Sequence, residues 1–287
     1  MIYYQGRKVK VFCVKIFFLQ CEERGRKYGK QKGAHKETGA LVRFNFDAGC
    51  SGGNIIAFCM SQVEPAFSGC ISYPRGDVSS YQGTIQWDIL AQQDIAFAYI
   101  KATEGSSFTD PCFVENWEGV WQTDLQAGAY HFFSFESSGK TQAEKYIQTV
   151  GKKEGMLPPM IDVELYGDFS RSPPKADAVV KELEEMIRVL SEYYGQVPVL
   201  YSTGKAYRLY LQGRFASCDM WIRDVFFYPS LADGREWTFW QYTDRALLDG
   251  YEGSEKYIDM NVFFGSEKEY AAYLQKRCIN TKTGGLR

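Results

Sequence analysis

The chain has 287 residues, 45% of them apolar and 16% aromatic, which is enough to bury one large core or two modest ones and too much for a disordered chain. Its net charge of −2 hides a split: residues 1–46 carry eleven Lys/Arg against three Asp/Glu, and residues 47–287 carry twenty-two against thirty-two. The acidic remainder argues against a nucleic-acid groove, because phosphate binding needs clustered cations, and no run reaches the ~20 apolar residues of a membrane-spanning helix.

Residues 1–70 lack sustained periodicity and mix a basic run (Arg24 to Lys36) with Gly-rich, Cys-containing patches such as Gly49-Cys50-Ser51-Gly52-Gly53. They are expected to form a poorly structured extension, so that a chain starting near Ser72 keeps the full protein's stability. Within them, residues 11–20 follow Arg7, Lys8 and Lys10 as an apolar segment follows the basic start of a signal peptide. Lys15 interrupts that segment and no small-x-small cleavage site follows closely, so the competing reading is an appended leader. Cys13, Cys21, Cys50, Cys59 and Cys70 crowd this region, leaving Cys112, Cys218 and Cys278 for the body. No Cys-x-x-Cys occurs and the histidines are His35 and His131 alone, so neither a zinc ribbon, a thioredoxin-like motif nor a multi-histidine metal centre is expected. No cofactor is implied.

From Ile71 onward short apolar runs recur, at Ile95–Ala102, Ala127–Phe133, Met160–Leu165, Val197–Ser202, Met220–Arg223, Trp237–Tyr242 and Tyr257–Phe263, and each is read as a strand. A helix is expected over Thr141–Val150, and a clearer one over Pro173–Tyr194. The second has Ser172 as N-cap, Pro173 in its first turn, an apolar stripe of Val179, Leu183, Met186, Ile187 and Leu190, and Gly195 as its stop. Strand and helix in alternation predict an α/β fold of the parallel-barrel class, with its site at the C-terminal strand ends. The expected domains are an N-terminal extension over 1–70, a catalytic barrel over 71–275 and a tail over 276–287.

The most informative segment is Pro158-Pro159-Met160-Ile161-Asp162-Val163-Glu164. Side chains alternate along a strand, so Asp162 and Glu164 share a face, roughly 6.6 Å apart along the chain and close enough for each to feel the other's charge. Paired carboxylates are the working parts of glycosidases, one protonated to donate to a leaving oxygen and the other ionised to support positive charge at the sugar carbon. Taken alone the pair could equally be solvent-facing acids on an edge strand. Asp77 in RGDVSSYQG, Tyr130-His131-Phe132 in GAYHFF and Asp259 in YIDMNVF also fall at predicted strand ends, so separate strands deliver carboxylates toward one mouth.

These motifs resemble glycoside hydrolase family 25, the Chalaropsis-type lysozymes (N-acetylmuramidases) that cut peptidoglycan. The resemblance runs from about Tyr73 to Gly265 in the family's order: DVSSYQG followed by Ile85-Gln86-Trp87, AYIKATEG at Ala98–Gly105, GAYHF, MIDVE, VLYS at Val199–Ser202, FWQY at Phe239–Tyr242, and IDMNVF. It implies a modified TIM-like barrel of five β/α units followed by further β-strands. It also implies Glu164 as general acid, Asp162 as its partner, assisting the substrate's 2-acetamido group or acting as base, and Asp77 and Asp259 lining the same site. Ionised neighbours at these three aspartates would raise the Glu164 pKa by like-charge repulsion. Tyr130, Tyr201, Trp240 and Tyr242 are candidates for sugar stacking, with core packing as the alternative for each. Gln241 alternates with Trp240, so one of the two must face away from the interior, and Lys101 either touches substrate or pairs with Glu104.

The implied partner is bacterial cell-wall peptidoglycan, met by a monomer without nucleic acid or transmembrane segment, outside the cell or at its wall, by an export route the sequence leaves open. Two departures from the family pattern stand out: Gly76 precedes Asp77 where an aliphatic residue is usual, and Met220-Trp221-Ile222-Arg223-Asp224 carries Arg223 in place of a small residue. Gly76 also creates an Arg75-Gly76-Asp77 tripeptide, which is better explained by the barrel motif than by adhesion. The competing functions are a catalytically silent peptidoglycan-binding barrel and a chitinase-like hydrolase, although Met160 stands where the latter's alternating run would need another Asp. A serine or cysteine hydrolase is set aside, because no Gly-x-Ser-x-Gly elbow occurs in the barrel and His131 is the one plausible base. The role expected of His131 is a structural hydrogen bond.

Overall fold

A computed structural model describes residues 2–4, 7–9, 13–14, 75–78, 84–253 and 256–281. Of the N-terminal extension it therefore describes three strands, β1 (Ile2–Tyr4), β2 (Arg7–Val9) and β3 (Cys13–Val14). Cys21, Cys50, Cys59 and Cys70, with the rest of that expected extension, lie outside the described residues. β1 and β2 pair antiparallel, and β3 runs parallel to β4 (Arg75–Val78).

The body is a mixed sheet whose further strands are β5 (Phe97–Glu104), β6 (Phe108–Thr109), β7 (Gln126–Phe132), β8 (Met160–Val163), β9 (Val199–Thr203), β10 (Asp219–Arg223), β11 (Phe239–Ala246) and β12 (Ile258–Phe263). Its order is β3-β4-β12-β11-β10-β9-β8-β7-β5-β6, and β4 also pairs with β5, so the sheet curls round on itself. Neighbours from β5 and β7 through to β11 are parallel, whereas β12 runs antiparallel to both β11 and β4. The parallel connections carry α1 (Trp87–Ala91) before β5, α2 (Phe113–Val120) before β7, α3 (Gly139–Val150) before β8 and α4 (Ala176–Tyr194) before β9. A short helical turn, Gly204–Ala206, runs into a π-helical turn, Tyr207–Leu211, before β10, and α5 (Glu267–Arg277) follows β12.

Period-two alternation fills the concave side with aromatic rings. Phe97, Tyr99, Tyr130, Met160, Val199, Tyr201, Trp221, Phe239 and Phe263 form one buried cluster closed at one end by Tyr270. Trp221 sits edge-on to Tyr99 and Tyr201, with centroids 5.5 and 6.0 Å away. Gly128 belongs to this layer because a Cβ there would lie 2.4 Å from the Tyr99 ring. That ring is fixed in turn by its hydroxyl, which donates to Pro158 O at 2.9 Å. The rings form the floor on which the strand-end polar residues stand.

Several expected boundaries shift by a few residues, as where the helix expected from Thr141 begins at Gly139 and the strand expected over Trp237–Tyr242 spans Phe239–Ala246, and two further shifts have a physical reason. The helix predicted from Pro173 begins at Ala176, with Lys175 in place of Ser172 as its N-cap. Pro174 pushes the residue before it out of the helical region, so Pro173 cannot open a helix; Val179, Leu183, Met186 and Leu190 are still its buried stripe. The tail expected to begin at residue 276 starts inside α5, which runs on to Arg277. Beyond it Ile279 is buried, exchanging backbone bonds with Met156 O and Gly155 N.

Candidate active site

β8 places the acid pair. Asp162 is 1% exposed near its end and Glu164, 4% exposed, immediately follows its last residue, Val163. Parallel pairing sets Asp162 between Phe132 of β7 and Tyr201 of β9, on the row that carries Trp221 and Phe239. Two residues further along, a second row joins Thr203, Arg223, Gln241 and Asn261. Asp259, 3% exposed, lies two residues from Asn261, toward the C-terminal ends of the parallel strands because β12 runs the other way. Asp77 occupies β4 opposite Tyr99, and continuing the Arg75–Asn261 register by two residues sets it opposite Asp259. Three strands thus bring Asp77, Asp162, Glu164 and Asp259 to one end of the sheet.

The electrostatics around Tyr201 tie these groups together. Burial raises its phenol well above the ordinary value; Glu164, Asp162 and Asp259 push it the same way and Arg223 opposes them. Tyr201 is therefore a neutral donor, and its hydroxyl gives a 2.6 Å hydrogen bond to Gln241 Oε1. That bond fixes the Gln241 amide with Nε2 as a buried donor that has no hydrogen-bond partner among the described residues. Trp221 Nε1 donates to Asn261 Oδ1 at 2.7 Å, holding the strand that carries Asp259 against β10. Arg223 ends β10 beside the acids: burial disfavours its charge, but Tyr201, Glu164, Asp244 and Asp259 outweigh that and raise its pKa above the ordinary value. The carboxylates consequently share the mouth with a fixed cation.

Other expected site residues fall elsewhere. Tyr130 and Tyr201 are packed into the aromatic floor at 2% and 0% exposure, so neither presents an open ring face to a sugar. Of the alternating pair, Gln241 faces the concave side and Trp240 the convex one, where it packs with Tyr228, Trp237 and Tyr242 and donates its indole N–H to Asp224 O at 2.7 Å. Trp240 and Tyr242 are thereby removed from the acid cluster by the pleat itself. Lys101 is 1% exposed, pairs with Glu104 at 2.8 Å and lies over the rings of Phe108 and Phe132. His131, on the convex face, bonds Thr103 Oγ1 at 2.7 Å and Gln142 Oε1 at 2.9 Å.

Sequence reasoning passed over Tyr166, two residues beyond Glu164. Its ring stacks on Phe135 at 5.5 Å and 8°, meets Phe132 and Phe169 edge-on, and its hydroxyl accepts from Phe135 N at 3.1 Å. An aromatic in the loop immediately after a catalytic-type acid was the available signal. Among the described residues no group of His, Cys, Asp and Glu has the arrangement of a metal site, and no helix is long and apolar enough to cross a membrane.

Comparison with known proteins matches residues 76–251 to the model of glycosyl hydrolases family 25. The structure of a family 25 glycosyl hydrolase from Bacillus anthracis superposes with a TM-score of 0.65 at 52% identity, covering 68% of this chain and 90% of that one. The uncharacterized protein YegX of Escherichia coli O157:H7 is 35% identical over 203 residues, 69% of this chain and 72% of YegX. Lysozyme M1 of Streptomyces globisporus is 28% identical over 206 residues, 66% of this chain and 67% of that enzyme. With the acid pair at the end of β8 and the family model spanning most of the described body, the chain belongs to the glycosyl hydrolases family 25.

Proposed function

We propose that the protein is a lysozyme hydrolysing the β-1,4 bond between N-acetylmuramic acid and N-acetylglucosamine in bacterial peptidoglycan, with Glu164 as general acid. Family membership makes it a glycoside hydrolase, and its similarity to a Streptomyces lysozyme supports the substrate. The observation that carries the mechanism is the burial of Asp162 and Glu164 together at the end of β8, within the electrostatic reach of Tyr201.

In the first step Glu164 gives its proton to the glycosidic oxygen as the bond from that oxygen to C1 of the muramyl ring breaks. Asp162 stays ionised and steadies the muramyl 2-acetamido group as its oxygen closes on C1, or alternatively guides a water to the same carbon. Water then adds at C1 and returns its proton to the Glu164 carboxylate. Asp77 and Asp259 set the charge of the mouth, Gln241 Nε2 supplies a donor from its floor, and Tyr130, Tyr201 and Lys101 hold that floor in place. Trp240 acts behind β11, through Asp224, in keeping the strand end in position.

The curled sheet is read as a modified TIM-like barrel: strand–helix alternation lasts through β10, and β11 and β12 complete it without helices between. The proposed setting is the cell wall or the outside of the cell, which the similarity to Lysozyme M1 supports, with the protein acting as a monomer and without nucleic acid.

The test is turbidity loss of purified bacterial cell walls with wild type beside Glu164→Gln, and mass spectrometry of the fragments. Wild type should clear the walls and release reducing-end N-acetylmuramic acid, and Glu164→Gln should be slower by about 100- to 10,000-fold. Wall binding by both proteins with clearance by neither would establish instead a silent binding barrel.

A further inference from the structure

Among the described residues two cations, Lys101 and Arg223, lie on the strands around the acid pair, and they differ in what they can reach. Lys101 is 1% exposed and engaged by Glu104 and two rings. Arg223 is 28% exposed through its side chain, ends β10 in the row of Thr203, Gln241 and Asn261, and shares its surroundings with Glu164 and Asp259. Its Nη2 donates to Asp244 Oδ2 at 2.6 Å, and Asp244 is itself 35% exposed. A guanidinium has five N–H donors in a planar fork, and among the described residues Asp244 is the one hydrogen-bond acceptor that Arg223 meets. The fork therefore retains donors open to the mouth.

The partner's position has a structural cause. β11 loses its regular register with β12 between Gln241 and Thr243 and again between Thr243 and Ala246. Such irregularities re-aim side chains, and here the stretch brings Asp244 to the guanidinium. A muramyl residue carries a lactyl ether at O3, beside the C2 acetamido group. If cleavage occurs at its C1 next to Glu164, the carboxylate of that ether, or of the peptide amidated to it, must enter a mouth lined with acids. Like charges oppose its entry, and among the described residues Arg223 is the part-exposed cation beside Glu164 and Asp259 that offsets them.

We propose that Arg223 forms an anion subsite that takes a carboxylate borne by the muramyl side chain, giving up part of its contact with Asp244 to do so. This rests on the muramidase reading above. The carboxylate has two sources, the free lactyl group of peptide-free glycan and the acidic residue of the stem peptide. Asp244 holds the fork in its plane before substrate arrives and lowers its cost of ordering, at the price of competing for one of its donors.

The experiment measures KM and kcat of wild type, Arg223→Gln and Arg223→Lys on two matched pairs: peptide-free strands with lactyl carboxylates free or converted to methylamides, and stem-bearing strands with the acidic residue free or amidated. In at least one pair wild type should favour the charged form through KM by roughly tenfold, the scale of one charge-assisted bidentate contact. Arg223→Gln should erase that preference, with equal KM for the charged and neutral forms, and Arg223→Lys should keep part of it. The pair that responds identifies the source. Equal charged-to-neutral ratios in wild type and Arg223→Gln on both pairs, or a loss that falls on kcat for charged and neutral strands alike, would overturn the subsite. Should Arg223→Gln not fold, Asp244→Asn carries the comparison: it must lower KM for the charged form, and an unchanged or raised value overturns the proposal. Inactivity of wild type on every strand would strike the muramidase reading instead.

Discussion

Burial strips His131 of its usual proton. Desolvation is the largest cause of a pKa lowered to about 4, the nearby Lys101 charge adds to it, and the bond to Gln142 opposes it. The bonding pattern fixes the tautomer: Gln142 Nε2 donates to the carbonyls of Ser134 and Ser137, so Oε1 faces His131 and must accept from its Nε2–H, and Nδ1 accepts from the Thr103 hydroxyl. Because the folded pKa lies below the unfolded value, the unfolded chain takes up the proton first as pH falls. Stability from this residue is complete above about pH 6.5 and drains away down to about pH 4, by up to about 3 kcal/mol. Proton NMR should show the His131 ring titrating near 4, with urea midpoints falling over that window; a midpoint near 6.5 would sink the argument. Alternation along a strand made some residue-scale facts legible in advance, such as the opposed faces of Trp240 and Gln241. It does not reveal depth, and Tyr130 and Tyr201 proved to be floor because rings from several other strands cover them, a long-range fact that no local pattern carries.

At the scale of elements, the contact between α3 and α4 depends on one small residue. Gly139 opens α3, and a Cβ there would stand 1.7 Å from Glu182 O in the backbone of α4, while its own N–H donates to Glu182 Oε2 at 2.8 Å. No side-chain rotation relieves a clash with backbone, so Gly139→Ala must push the helices apart. The expected cost is about 1–3 kcal/mol or somewhat more, read as a lower urea midpoint with the helical circular dichroism preserved; an unchanged midpoint would show that the helices slide freely. The stripe of α4 was readable because 3.6-residue periodicity is local, and its start was misplaced because a Ser-Pro opening looks like a cap until the second proline is weighed. The bend in β11 was not readable at all: its register shifts follow from pairing with an antiparallel β12, and they bring Asp244 to Arg223.

For the whole molecule, the end of the chain acts as a clamp on the underside of the sheet. Arg277 Nε meets Asp219 Oδ2 at 3.0 Å at the start of β10, its Nη2 donates to Val197 O just before β9, and its Nη1 reaches Gln196. Tyr273 donates to the same Asp219 carboxylate, and Ile279 is buried against Met156 ahead of β8. Strands that carry the acids and Arg223 at one end are thus tied at the other by a segment far away in sequence. The helix α5, with the sequence EKEYAAYLQKR, packs by aromatic and charged anchors, Tyr270, Tyr273 and Arg277, and no local pattern announces such long-range contacts. A chain ending at Gln275 loses the Arg277 contacts and the Ile279 side chain, about 3 kcal/mol together, and its Tm should fall by roughly 5–10 °C. A chain ending at Thr281 keeps both and should melt with the full protein. If the two shortened chains melt alike, the clamp contributes nothing and the boundary at 275 is the true edge of the fold; if they separate as expected, residues 276–281 belong to the body that positions the site.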